Sequence, residues 1–567
     1  MSATPDSPAW EVTALSKRAD REALIPEAWR LPESAKTKYG GCPISIFAEP
    51  LDPAVCPGIL SSHELDVTDR SNDATRLLRL LKQGQVSSVE LVTAFCKRAA
   101  VAHQLTNCLT EIMFDKAIQQ AKEIDAGRES DQRPLAGLPI TFKDNFFIQG
   151  YDASMGIASQ CFQPATKNSQ LVDISQSLGA IIIAKTTVPQ TMLTADTDSV
   201  VFGRTCNANN SNLAAAGSSG GEGVVIAMGG SALGFGTDGA GSVRMPAFVN
   251  GVVGYKPSGY RLPMDTRPIM RSGVVGTTAL GPVSVAGILA RSVRDAVLMT
   301  QLISEAEPWQ TNPFLLPSPW LDLRLPASSP LRIGVWADHD HLHLLPPVAR
   351  VFRLAQERLK AAGHVLVPFQ GPALGDVWSL LKEWTEIQDL RPLRKLLSQE
   401  PITPIVKNTL IIEPENKVPD LDLDRLHYMN KRIASLVTGM ASAWNNAGID
   451  ALLWVPAPHP AMPFDMYTEM TLTALCNVID WPAVVIPTGD VVMPNLDFSQ
   501  DLKIPDAQLY SEADRTLQAM YFSEVQSQFS NLPLSIQIIG RRGQDEKMLK
   551  VAEVLQPELQ TGGNSAS

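Results

Sequence analysis

Apolar residues follow two alternating periods along this chain. NDATRLLRLLKQG (72–84) carries them at helical spacing and predicts a helix closed by Gly84. SSVELVTAFCKRAA (87–100) predicts a second helix, with Ser87 and Glu90 spaced as a capping box and Leu91, Val92, Phe95 and Ala99 on one face. Short continuous runs rich in β-branched residues predict buried strands at GLPITF, AIIIA, LRIGVW, DALLWV, PAVVIP and LPLSIQIIG. Helical patterns separate most of them, as PPVARVFRLAQERLKAAG separates LRIGVW from HVLVPF. Such alternation predicts an α/β fold, a sheet covered by helices on both faces.

Outside this pattern, residues 1–60 read as a proline-rich leader with one charged helical piece around Arg18 to Trp29. The segment from about 300 to 440 is rich in proline and charge and is expected to vary and to cover a substrate. Residues 556–567 are expected to form a flexible tail. Of the 567 residues 44% are hydrophobic and 19% charged, a globular balance. The net charge of −11 argues against nucleic acid as a partner, since phosphate binding needs a basic surface. Seven cysteines, an odd number without a CxxC pair, indicate neither a disulfide framework nor a zinc site. Reduced thiols, a polar N-terminus and no uninterrupted apolar run of about 18 residues predict a cytoplasmic protein without a membrane span.

The richest chemistry lies in AAAGSSGGEGVVIAMGGSALGFGTDGAGSVRMPA (214–247), with four serines and ten glycines. Glycine lets backbone approach a ligand, and serines in such loops offer hydroxyls and N–H groups to a reacting carbonyl. Acyl transfer is the chemistry this implies. GFGTDG matches the dinucleotide pattern GxGxxG, but SVRMPA and GVVGYKPSGYRLP after it read as loop and strand where a helix is required. GSSGG, centred on Ser219, matches a nucleophile elbow, and His427 and His459 lie downstream where a triad histidine could stand. DHDHLH, Asp338 to His343, has metal-ligand residue types but follows a strand, where a solvated loop is the simpler reading. A serine can instead be activated by a buried, neutral lysine. Lys143 after AGLPITF and Lys185 after AIIIA both qualify, and residue chemistry alone does not rank them.

GLPITFKDNF, AGSSGGEG and GTDGAGSVRMPAFVNGVVGYKPSGYRLP resemble the defining blocks of the amidase signature family. KTTVPQTMLTADTDSVVFGRT, NVIDWPAVVIP and LPLSIQIIGRRGQDEKML extend the likeness over roughly residues 60–555, and the leader is similar to that of fungal acetamidase-type members. The resemblance implies one amidase signature domain over 61–555, built on a central twisted mixed sheet covered by helices. It also implies a triad of Lys143 as base, Ser218 as bridge and Ser242 as nucleophile, forming an acyl-enzyme. Gly239, Ala240, Gly241 and Ser242 would offer backbone amides to the oxyanion, on the order of 3 kcal/mol per donor. Met192, Leu193 and Thr194 match pocket positions whose apolar character suits an aliphatic or aryl acyl group. Asp238 and Arg244 are expected to pair and fix the loop. The substrate implied is a small or medium, uncharged amide, with no cofactor, no metal and no nucleic acid; a homodimer is allowed. An acyltransferase sharing the acyl-enzyme and a weakly catalytic assembly subunit are the rival readings. Two departures stand out: Ala240 and Ala216 occupy positions where the family commonly has glycine, and Ala240 would be strained if the loop requires positive φ there.

Overall fold

A computed structural model describes residues 7–39, 58–127, 132–267, 281–323, 330–337, 341–387, 391–409, 423–467 and 470–560. Eleven strands form one mixed sheet: β1 (Leu109–Ile112), β2 (Pro139–Lys143), β3 (Ile181–Thr186), β4 (Leu233–Asp238), β5 (Val253–Lys256), β6 (Val285–Ala290), β7 (Arg332–Val335), β8 (Val365–Pro368), β9 (Ala451–Trp454), β10 (Ala483–Val491) and β11 (Pro533–Ile539). Their order is β1-β3-β2-β4-β6-β5-β10-β11-β9-β7-β8. β3, β2 and β4 run parallel, as do β9, β7 and β8, and the pairs between these blocks are antiparallel. All six apolar runs become strands. Helices flank the sheet, and every residue of β2, β3 and β4 is buried.

The expected helices form at Ala74–Lys82, followed by Gly84 at φ +67°, and at Ser88–Thr106, where Ser87 and Glu90 make the capping box. The leader's helix spans Ala9–Ala23, beginning earlier than the Arg18–Trp29 piece, of which Glu27–Trp29 is a short 3₁₀ turn. Lys17 carries it onto the core through ion pairs of 2.6 Å to both Glu111 and Asp152. Two expectations change. SVRMPA, read as loop, opens the helix Arg244–Asn250, and the C-terminal helix Asp545–Leu559 runs into the stretch expected to be tail from 556. The segment 300–440 supplies β7 and β8 as well as helices. No described helix is long and apolar enough to cross a membrane.

Candidate active site

The parallel pair β2 and β4 directs its C-terminal ends to one place. Lys143 is the last residue of β2, Thr237 the penultimate residue of β4, and Phe142 sits beside Phe235 in the register between them. The Lys143 Nζ donates to Ser218 Oγ at 2.7 Å and to Thr237 Oγ1 at 2.8 Å. Lys143 is fully buried. Burial pushes its amine down from 10.5 to about 7, against the pull of Asp238, Glu222 and Asp144 toward the charged form. A neutral amine at that distance can accept a hydroxyl proton.

Lys185, the rival, points elsewhere. Lys143 is registered beside Thr186, so strand alternation turns Lys185 to the opposite face, where its amine donates to the Asp152 carbonyl.

Ser218 follows a cis peptide bond from Gly217 and precedes the helix Gly220–Ala227. A Cβ on Gly217 would stand 2.9 Å from the Thr194 carbonyl oxygen, so glycine lets the Met192–Thr194 loop close on this turn. Ser242 lies in the loop between β4 and the helix Arg244–Asn250, and its carbonyl accepts the Ser219 N–H at 3.1 Å. The two serine loops are thereby tied together. Ser242 is partly exposed, whereas Ser218 and Ser219 are buried. Ser219 Oγ donates to the Thr237 carbonyl at 3.4 Å. Of the histidines a nucleophile elbow would need, His427 is exposed on the helix Leu423–Ala447, and His459 bonds the Pro460 carbonyl.

Asp238 organises the loop. Its carboxylate accepts the amides of Gly241 at 2.8 Å and Val243 at 3.1 Å, and pairs with Arg244 through Nη2 at 2.9 Å and Nε at 3.0 Å. Burial works to raise this carboxyl, but the Arg244 guanidinium outweighs it and holds it at about 2. Arg244 also donates to Asn477 at 2.8 Å and Gln537 at 3.0 Å, so the expected pair is part of a buried network. Of the amides expected to face the oxyanion, that of Gly241 donates to the Asp238 carboxylate. The amides of Gly239, Ala240 and Ser242 make no hydrogen bond to a described residue. Positive φ in this loop falls on Gly241 at +123°, not on Ala240, whose carbonyl accepts from Thr473 Oγ1 at 2.7 Å. Ala216 does adopt positive φ, at +57°, with its carbonyl bonded by Thr197 Oγ1 at 2.7 Å.

Met192 is buried in an apolar cluster with Met155, Ile157, Val188, Leu393, Leu397 and Val406, and Leu193 packs on its edge. Thr194 is buried, its hydroxyl donating to the Asp196 carbonyl at 3.4 Å. Thr237, Thr473 and Asn477 were missed by sequence reasoning. Thr237 stood in the GTD block and could have been found from its place beside Lys143; the other two are more than 200 residues from the loop they hold. Of DHDHLH, residues 338–340 lie outside the described residues. His343 is bonded to Asp514 at 2.6 Å, and no metal-binding group of three side chains occurs among the described residues.

The chain is 33% identical over 558 residues to an amidase of Gibberella moniliformis, covering 97% of this chain and 99% of that one. An acetamidase of Aspergillus oryzae is 31% identical over 567 residues, with 96% and 98% covered. Among solved structures, a fatty acid amide hydrolase superposes with a TM-score of 0.87 at 26% identity, over 97% of this chain and 95% of that chain. The amidase family model matches residues 90–549, and the chain belongs to that family, as an enzyme that hydrolyses amide carbon–nitrogen bonds.

Proposed function

We propose that the chain hydrolyses a small or medium, uncharged carboxylic amide to the acid and ammonia or an amine, through Ser242, Ser218 and Lys143. The observation that carries this reading is the fully buried Lys143 amine at 2.7 Å from Ser218 Oγ. Neutral Lys143 takes the Ser218 proton as Ser218 takes that of Ser242. Ser242 Oγ then adds to the carbonyl carbon, and the negative oxygen turns toward the amides of Gly239, Ala240 and Ser242. As the tetrahedral species collapses, the carbon–nitrogen bond breaks and the relay returns its proton to the leaving nitrogen. Water enters the same relay, cleaves the acyl-Ser242 ester and restores the free serine.

Met192, Leu193 and Thr194 form one wall of the acyl site in this reading. The helices Arg391–Leu397 and Pro404–Thr409 form the outer cover, held by Glu400, which accepts from Gln190 Nε2 and from the Ala158 amide, each at 2.6 Å. In this reading part of the 300–440 segment covers the substrate within a 61–555 domain, with the leader docked on it. The relatives named acetamidase and fatty acid amide hydrolase set the range of acyl groups to test.

The test is a series of amides from acetamide through aryl to fatty amides, with Ser242→Ala alongside. Ser242→Ala is expected to abolish both turnover and labelling by a fluorophosphonate while keeping the thermal melt of the parent. Turnover at the parent rate in that variant would overturn the nucleophile assignment.

A further inference from the structure

The leader helix Ala9–Ala23 docks through an inward face that carries charge. Trp10, Ala14, Lys17 and Arg21 recur at i, i+4, i+7 and i+11, which sets them in one stripe, and Ala14, Lys17 and Arg21 are buried. Trp10 packs on the cluster of Ala158, Cys161, Val201 and Phe202. Lys17 reaches both Glu111 and Asp152 and stands 5.3 Å from the centre of the Phe162 ring. Arg21 donates to the Leu109 carbonyl at 2.9 Å and stands over the Phe202 ring, while Arg18 donates to the Val200 carbonyl at 3.4 Å. The helix therefore grips two loops, 152–162 and 199–202.

Both loops converge on the turn that carries Met192. Asp152 closes the first, its carboxylate accepting the Phe162 amide at 2.6 Å as well as the Lys17 amine. Within that loop the Met155 carbonyl accepts the Thr191 amide at 3.1 Å, and Met155 and Ile157 share the apolar cluster of Met192. Beside the second loop, the Asp198 carbonyl accepts the Gln190 amide at 2.8 Å. A Cβ on Gly156 would stand 2.8 Å from the Ser199 Cβ and 3.1 Å from the Gln190 nitrogen, so the three segments meet at that glycine. Thr191 and Met192 adopt φ of +80° and +61°, a region that residues with a Cβ rarely occupy and that persists where neighbours fix it. The hydrogen bonds that fix this turn at Gln190 and Thr191 come from the two segments beneath the leader.

We propose that Lys17 and Trp10 are positioning residues that determine acyl specificity: through them the leader helix clamps the 155–157 loop against Thr191 and Met192 and so fixes the shape of the acyl wall. The proposal rests on the reading of residues 192–194 as that wall. A helix needs only apolar side chains to adhere to a core, whereas a buried cation between two carboxylates adheres in one register, because displacement leaves the charges unpaired. Asp152 passes that register on, since its carbonyl is held by Lys185 from β3 while its carboxylate holds Lys17 and the Phe162 amide. An ordered wall gains binding from each substrate methylene it buries, and a wall free to move gains less.

The experiment measures KM and kcat for straight-chain amides from acetamide to decanamide in the parent, Lys17→Met, Trp10→Ala and Met192→Ala, with a thermal melt of each. Lys17→Met is expected to flatten the dependence of KM on acyl length severalfold across the series, with kcat at each length moving less than KM. Trp10→Ala is expected to flatten it by less. A merely supporting helix would lower the melting temperature and leave that dependence as in the parent. If Lys17→Met does not fold, Trp10→Ala decides alone. An unmoved or steepened dependence, or a fall in kcat shared by all lengths with KM unchanged, overturns the proposal. Met192→Ala separates the two readings: if it alters the dependence, the wall stands and an unmoved Lys17→Met counts against the leader only. If KM is independent of length in the parent, or Met192→Ala leaves the dependence unmoved, the acyl wall itself has failed and the proposal with it.

Discussion

Replacing Lys143 with Met tests the buried amine through stability as well as activity. In the folded protein the amine loses its proton near pH 7, while an unfolded chain keeps it to about 10.5. That gap corresponds to about 5 kcal/mol favouring the neutral amine in the folded state. Below pH 7 the lysine is protonated in both states, so the full cost of burying a charge is present and does not change with pH. Between pH 7 and 10.5 the unfolded chain binds a proton that the folded chain lacks, and stability therefore rises with pH. From pH 7 to pH 9 the rise is about 2 kcal/mol. Lys143→Met has no such titration. Glu222 works in the opposite direction, since its folded carboxyl is raised and its contribution falls as pH climbs from about 4.5 toward about 8; losing the Lys143 charge raises it further, which adds to the same difference between the two proteins. Guanidinium unfolding at pH 6 and pH 9 should therefore find Lys143→Met more stable than the parent at pH 6, with much of that advantage gone at pH 9. The parent's kcat/KM should climb over the same range, with about a tenth of the sites holding a neutral amine at pH 6. Parallel stability curves for the two proteins would refute an amine that titrates near neutrality.

Arg244→Met leaves the Asp238 carboxylate buried without its cation, and should cost about 3–5 kcal/mol by denaturant unfolding and slow Ser242 labelling. Ser219→Ala removes only the 3.4 Å bond to the Thr237 carbonyl and should keep labelling within about tenfold of the parent, where its loss would restore Ser219 as a nucleophile candidate. Gly241→Ala places a Cβ 2.3 Å from Thr473 Oγ1 on a residue at φ +123° and should abolish labelling. Ala240→Gly adds backbone freedom and removes a partly buried methyl, and a thermal melt should find it destabilised by about 1 kcal/mol, with no gain in rate.

What was legible in the sequence follows from what packing required. β2, β3 and β10 are buried along their apolar runs, so continuous apolar character announces them. β4 was hidden because it reads LGFGTD. Gly234 makes room for Glu222 and Gly236 for Ser219 Oγ, 2.6 Å from where a Cβ would be, so the strand nearest the chemistry has the composition of a loop. β1 was hidden by Glu111, a charge that is paired inside by the distant Lys17. Lys143 and Lys185 were indistinguishable by local sequence because each ends an apolar strand. Register separates them, and register depends on which strands become neighbours. The family blocks put Lys143 first, and the structure sets its amine 2.7 Å from Ser218 Oγ.

Ala240 illustrates how a loop can depart from its family pattern without losing its shape. The Asp238 carboxylate gathers the amides of Gly241, Val243 and Arg244, so the turn is fixed from inside by one side chain. Thr473 fixes it from outside by donating to the Ala240 carbonyl. Between these two restraints the left-handed conformation falls on Gly241, where Thr473 leaves no space for a side chain. Alanine at 240 then meets no strain, and its methyl lies partly buried against the core. The restraint has a cost for charge stabilisation, because the same carboxylate that shapes the turn occupies the Gly241 amide. In the proposed reaction the oxyanion accordingly draws on Gly239, Ala240 and Ser242, and a substitution that frees the Gly241 amide by removing Asp238 is expected to lose the loop before it gains a donor.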